Sequence, residues 1–349
     1  MATEQARIRV MRPRNRPDTL TLIGILLLLL FGVWLLVNFI KTPADFYDLF
    51  LIGLTNGCIY GLVAIGYSLV YGILELINFA HGDVFMLGGM LVATMVTDWS
   101  LQNDSGVVLW LFIVLMLLIT MAFCATINTS IEILAYRRLR NAPRLAPLIT
   151  AIGMSFILQN IGLVWKGARP TSVPDILPNG TVFTIGGVPY TWRQFIVVLF
   201  TVPVLLALMW LVQRTRHGKA MRATAQDREA AAMMGISVNR TISFTFFLAG
   251  SLAGAAALLY ALYFTNIRYT EGFRVGLIAF TAAVLGGIGN LPGAVLGGLV
   301  IGFVQAFNDG LGWHAPGSDW TQSIVFAILI LILVFRPEGL LGERTPEGA

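Results

Sequence analysis

From Leu20 to Ile40 the chain runs LTLIGILLLLLFGVWLLVNFI, without one charged side chain. Such a segment has few places to go. A helix rises ~1.5 Å per residue and the hydrocarbon core of a bilayer is ~30 Å thick, so one crossing needs roughly 20 apolar residues. Further apolar stretches lie near Phe46–Leu74, Val84–Thr97, Val107–Ile131, Leu145–Trp165, Gln194–Val212, Thr241–Phe264, Val275–Asn290, Gly293–Asp309 and Thr321–Phe335. They are continuous rather than alternating, which favours helices over a barrel. Only 12% of the residues are charged, about half the share of a soluble domain. The expectation is an all-α polytopic membrane protein of about ten transmembrane or partly re-entrant helices. The third and eighth stretches are the short ones, hence the candidates for broken or re-entrant helices. The first run has the basic flank of a secretory signal, but it is longer than the ~7–15 residues of such a signal and Asn38-Phe39-Ile40-Lys41 offers no small-residue cleavage site, so it reads as a retained span.

The basic residues give the orientation. With the amino terminus inside, seventeen Lys and Arg fall on inner segments and six on outer ones, in accord with the positive-inside rule. Inside are Arg7, Arg9, Arg12, Arg14 and Arg16, Arg137, Arg138, Arg140 and Arg144, the cluster from Arg214 to Arg240, and Arg336 with Arg344. This predicts a basic cytoplasmic tail over 1–19, one membrane domain over 20–336 and a cytoplasmic tail over 337–349. An outer loop spans 166–193, with a short Gly-turned hairpin expected in NGTVFTIGGVPYT, and an inner loop spans 213–240. Topology thus accounts for the net charge of +5, and no nucleic-acid partner is implied. Attraction to anionic lipid is the simplest role for the basic tail.

Chemistry of its own is hard to find. Gly218-Lys219 continues to Ala220 with Gln213 in the place of the first glycine, so there is no phosphate-cradling loop, and GGIGNLPG has Pro292 where a dinucleotide fingerprint needs glycine. Three histidines, His81, His217 and His314, and two isolated cysteines, Cys58 and Cys124, make neither a metal site nor a disulfide framework. The spans carry almost no ionisable residues of the kind that couple ion gradients to transport. An enzyme is therefore not expected, and any energy for transport must come from another subunit.

The inner loop offers a place for one. Gly218 to Met234 is rich in helix formers, with Ala220, Ala223, Ala230, Met233 and Met234 as an apolar side, Lys219, Arg222, Asp227 and Arg228 as a polar one, and Gly235 as the stop. It reads either as an amphipathic helix on the lipid surface or as a helix that fits a groove on a cytoplasmic partner. Glu229-Ala230-Ala231-x-x-x-Gly235 resembles the EAA-x-x-x-G signature by which ATP-binding-cassette importer permeases contact their ATPases, although the Leu-Pro pair that usually follows is missing. LVYGILELINFAHGDVFMLGG, LAPLITAIGMSFILQN, GKAMRATAQDREAAAMMGI and FTAAVLGGIGNLPGAVLGGLVIG together resemble the permease subunits of branched-chain amino-acid ABC importers, from about Phe46 to Gly342.

The resemblance implies an ABC importer permease fold in a bacterial inner membrane, with both termini cytoplasmic. It implies a paralogous permease as partner, two cytoplasmic ATPases that bind the ATP and Mg, and a periplasmic protein that delivers leucine, isoleucine or valine. This chain holds no cofactor itself. Gly218, Arg222, Asp227, Glu229, Ala230, Ala231 and Gly235 would couple it to the ATPases. A permease for urea or short amides shares the architecture, and a self-contained channel or ion-coupled carrier is the rival from another class.

ELINFAHGD, Glu75 to Asp83, is the polar interruption that needs a reason. One reading is a turn, with Asn78 capping and Asp83 starting the next helix. The other is a break facing the translocation path, with Asn78, His81 and Asp83 joined there by Ser155, Gln159 and Asn160. The last three residues could equally serve as interhelical hydrogen-bonding groups. Gly57 and Gly61, Gly250 and Gly254, Gly293 and Gly297, and Gly298 and Gly302 stand at the spacing that lets helices approach closely, for packing or for sliding. INFAHGD and GGIGNLP could be counterparts in an internal repeat.

Overall fold

The computed structural model describes residues 19–101, 106–140, 142–143, 145–178, 180–185, 187–312 and 315–342. The basic tail with Arg7 to Arg16, and Arg144, His314 and Arg344, lie outside the described residues. The helices are α1 (Thr19–Lys41), α2 (Pro43–Leu74), α3 (Ala80–Asp98), α4 (Val107–Ile131), α5 (Arg137–Leu139), α6 (Leu145–Lys166), α7 (Trp192–Arg214), α8 (Arg216–Gln226), α9 (Arg228–Met233), α10 (Val238–Phe264), α11 (Glu271–Gly286), α12 (Leu291–Gly310) and α13 (Thr321–Phe335). A π-turn over Glu132–Tyr136 joins α4 to α5. Eight of the described helical segments are long and apolar enough to cross a membrane, and α1 and α11 bring the long helices to ten. The chain is thus an all-α polytopic membrane protein.

Local chemistry sets the boundaries. Pro43 opens α2, where a missing N–H costs nothing. The helix ends at Glu75, whose φ of 55° is left-handed. Thr191 and Gln194 form a reciprocal capping box at the start of α7. The outer-loop sequence folds into an antiparallel hairpin of β2 (Thr181–Ile185) and β3 (Val188–Thr191), while β1 (Thr171–Ser172) pairs with β4 (Asn266–Ile267).

The buried centre is α2, α3 and α10, packed with α4, α11 and α12. Glycines decide how closely. A Cβ on Gly302 would lie 2.3 Å from the Gly57 N, and one on Gly298 would lie 2.5 Å from the Gly61 Cα, so the α2 and α12 backbones touch along this seam. Gly250 and Gly254 bring α10 equally close to Ala125 and Met121 of α4, and Gly293 and Gly297 bring α12 to Gly286 and Ala282 of α11. The outer faces of α1, α4, α6, α7 and α13 carry exposed Leu, Ile, Val and Phe, the surface that a lipid solvent accepts.

Two expectations need correcting. The third span is not short: the helix begins at Ala80 and takes in His81, Gly82 and Asp83, giving 19 residues. The inner loop is not one helix from Gly218 to Met234, because Asp227 adopts an extended conformation and separates α8 from α9. The INFAHGD and GGIGNLP breaks do occur, before α3 and between α11 and α12. Gly72 lies against Gly289, so both helical hairpins turn at the same end of the bundle and run in the same sense.

Candidate functional site

The break before α3 is held by side chains rather than by caps. Asn78 is 2% exposed, and its amide donates to Asn128 Oδ1 at 3.3 Å and accepts from the Tyr136 hydroxyl at 2.9 Å. Asn128 in turn donates to the Phe246 carbonyl of α10 at 2.7 Å. Phe79 precedes α3 without a side-chain cap bond, so the capping role expected of Asn78 is replaced by a tie from the break to α4, the π-turn and α10. Asp83 stands in the first turn of α3, three residues past its first residue.

Asp83 is fully buried. Its Oδ2 accepts from the Ser155 hydroxyl of α6 at 2.5 Å, and Ser155 Oγ accepts from Gln159 Nε2 at 3.1 Å. Asp83 Oδ1 has no hydrogen-bond partner among the described residues and lies against Gly272, where a Cβ would come within 2.6 Å of it. His81 stands edge-on to Tyr67 with ring centroids 4.8 Å apart, its imidazole wholly buried against α2. Ionisable groups with unfilled hydrogen-bonding capacity inside a membrane helix are costly, and such places are where transport proteins handle polar cargo. Asn160 does not join them. It donates to its own helix at Phe156 O and lies on the exposed face of α6, in a shallow cleft of about 690 Å³ lined by Phe156, Ile157, Ile161, Val164 and Trp165.

The inner loop is anchored on both α7 and α2. The Thr215 hydroxyl caps α8 by accepting from Gly218 N at 3.1 Å. Gly218 is pressed against the end of α7, where a Cβ would meet the Val212 carbonyl at 2.1 Å, and the Arg222 guanidinium donates to that carbonyl. Asp227 then caps α9, accepting from Glu229 N at 2.8 Å and Ala230 N at 3.0 Å. Arg228 reaches across to α2 and donates from Nη2 to the Ile73 carbonyl at 2.9 Å. Gly235, at φ 82°, closes α9 with a bond from Ile236 N to Ala231 O. The apolar side differs from the expected one: Gly218, Met221, Thr224 and Ala231 face inward, and Met233 and Met234 are each 82% exposed. Glu229 is exposed beside them.

The family model described as branched-chain amino acid transport system / permease component matches residues 49–334. The chain belongs to that family. The high-affinity branched-chain amino acid transport system permease protein BraD of Pseudomonas aeruginosa is 40% identical over 300 residues, 84% of this chain and 95% of that one. LivH of Escherichia coli K12, named as a permease protein of the same kind of system, is 36% identical over 301 residues, again 84% and 95%. The fructose import permease protein FrcC of Rhizobium meliloti is 27% identical over 205 residues, covering 55% of this chain and 54% of that one. No solved structure matches the chain. The chain is thus a membrane permease component of a multi-subunit transport system.

Two ionic clusters of this permease were not found by reading its sequence. The Glu132 carboxylate, fully buried, is held by Arg137 at 3.0 Å, by Arg140 and by the Ser243 hydroxyl at 2.7 Å. The separations, five and eight residues, are not the three or four of an α-helical pair; the π-turn makes them neighbours. Near the other end of the bundle Glu271 pairs with Arg274 and accepts from the Tyr260 hydroxyl at 2.6 Å. That pair is three apart and could have been picked out from its spacing.

Proposed function

We propose that this permease is the gate of an ABC importer for branched-chain amino acids in a bacterial inner membrane, with both termini cytoplasmic. Separate ATPases bind the ATP and Mg, and a periplasmic binding protein supplies the substrate. The α8–α9 loop docks an ATPase through the exposed tip made by Glu229, Met233 and Met234 next to Gly235. Movement of that tip is delivered to the core at Ile73. The observation that carries this reading is the Arg228–Ile73 hydrogen bond, which ties the loop to the last turn of the most central helix. Gly218 and Arg222 anchor the other side of the lever on α7.

Asp83, Ser155 and Gln159 form the polar seam of the path, with His81 and Asn78 supporting the α3 start beside it. A mostly apolar lining with so few polar groups suits aliphatic side chains, since a charged or strongly polar side chain would be left unpaired there. The paralogous permease lies against the α6 face, where Asn160 would otherwise meet lipid.

The test is uptake by proteoliposomes containing the permease pair, the ATPases, the binding protein and ATP. Met233→Glu with Met234→Glu should abolish leucine uptake while leaving the permease inserted, because both side chains are exposed and support nothing in the fold. Unchanged uptake in that double variant removes the docking role. Leucine flux through the permease without ATPases removes the whole reading, and transport of urea but not leucine replaces its substrate.

A further inference from the structure

A cavity of about 170 Å³ opens between the C-terminus of α2, the segment after α5 and the first residue of α9. It is lined by Leu74, Glu75, Leu76, Arg140, Pro147 and Arg228. Its volume equals about five or six waters at ~30 Å³ each, which suits one free amino acid and excludes a nucleotide. Two cations face it. Arg140 is engaged through its terminal nitrogens by Glu132 and Asn239, but its Nε is buried with no hydrogen-bond partner among the described residues. Arg228 makes its bond to Ile73 through Nη2 alone. Among the described residues one anion faces them: Glu75, an exposed carboxylate held in the left-handed region at φ 55°, a conformation that is strained for a non-glycine residue and tends to persist where a site needs it. The remaining wall, among the described residues, is aliphatic.

Resting on the transport reading above, we propose that this cavity is a product site: it takes the zwitterion of a branched-chain amino acid from the cytoplasm. The carboxylate sits between Arg140 Nε and Arg228, the ammonium against Glu75, and the side chain among Leu74, Leu76 and Pro147. The site has a mechanical consequence because of where its walls come from. Arg228 opens α9 and follows Asp227, the residue that caps it. Glu75 and Leu76 belong to the break before α3, and Arg140 to the cluster under α4. A bound amino acid therefore ties the lever to two elements it must move against. The complex stalls when the imported product accumulates.

The experiment seals leucine inside proteoliposomes of the complete complex and measures ATP-driven uptake of external labelled leucine. At internal leucine ten times its Kd, one site in about eleven stays empty, so the initial rate should fall roughly tenfold. Glu75→Gln, which removes the ammonium partner without touching the Arg140–Glu132 pair, should move the inhibition to internal concentrations about tenfold higher. Equilibrium dialysis of labelled leucine against the detergent-purified complex, without binding protein, reads the site independently of uptake. Dialysis should show saturable binding that Glu75→Gln weakens and Leu76→Trp, which fills the cavity, removes. Uptake that proceeds normally against internal leucine, with no cavity-dependent binding, overturns the product site and leaves the importer standing. Equal inhibition by internal phosphate, insensitive to Glu75→Gln, also overturns it, since the cavity would then hold any anion. Absence of leucine uptake under all conditions overturns the importer reading, while the dialysis result still decides the site.

Discussion

Gly61 and Gly298 face each other across the α2–α12 seam, yet the structure assigns them opposite tolerance. An alanine at 298 would place its Cβ 2.5 Å from the Gly61 Cα and N, about 0.9 Å inside an ordinary 3.4 Å contact, and the obstructing atoms are backbone. An alanine at 61 would meet Val295 at 3.7 Å, an ordinary contact. The helix-forming advantage of alanine over glycine enters little in either case, because helices separated in a lipid-like phase keep their backbone hydrogen bonds. What remains is overpacking, about 1–3 kcal/mol for Gly298→Ala, and a change within roughly 0.5 kcal/mol for Gly61→Ala. At roughly 2 °C per kcal/mol for a chain of this size, Gly298→Ala should lower Tm by about 2–6 °C, with Gly61→Ala within about 1 °C of the parent. Thermal unfolding in a mild detergent, followed by tryptophan fluorescence, measures both. Equal Tm values for the two variants would refute the claim that backbone contact, rather than generic small-residue packing, holds this seam.

Removing the Asp227 cap takes two backbone partners from a helix of six residues, which cannot sustain itself in isolation. Asp227→Ala should cost about 1 kcal/mol locally and lower the exchange protection of the Glu229 and Ala230 amides by roughly fivefold; unchanged protection counts against the lever as described. Glu132→Gln leaves Arg140, with only 10% of its side chain exposed, without its counter-charge. The expected loss is about 3 kcal/mol, seen as a Tm lower by roughly 6 °C. A Tm unchanged by that substitution would mean that the cluster is solvated in the membrane-inserted protein.

The membrane class, the number and order of long helices and the outer hairpin could be read from the sequence, because each rests on a local property: length of apolar run, turn glycines, caps. The small-x-x-x-small glycines could be noted, but not which helix each would meet, since Gly57 and Gly298 are 241 positions apart in the chain. Of the residues proposed for the path, Asp83 and Ser155 meet while Asn160 points away, a distinction set by how α6 is rotated against α3 and invisible in the spacing of AIGMSFILQN. Asn78 looks like a cap in isolation and becomes a tie only because Asn128 and Tyr136 arrive from another helix.

Helices in lipid satisfy their backbone within one segment, so a hydrophobic stretch announces a span without reference to the rest of the chain. Side-chain partners carry no such local mark. Asp83 with Ser155, Glu132 with Ser243 and Arg228 with Ile73 are contacts between elements far apart in sequence. They exist because close glycine-mediated packing and a single π-turn bring the helices into one register.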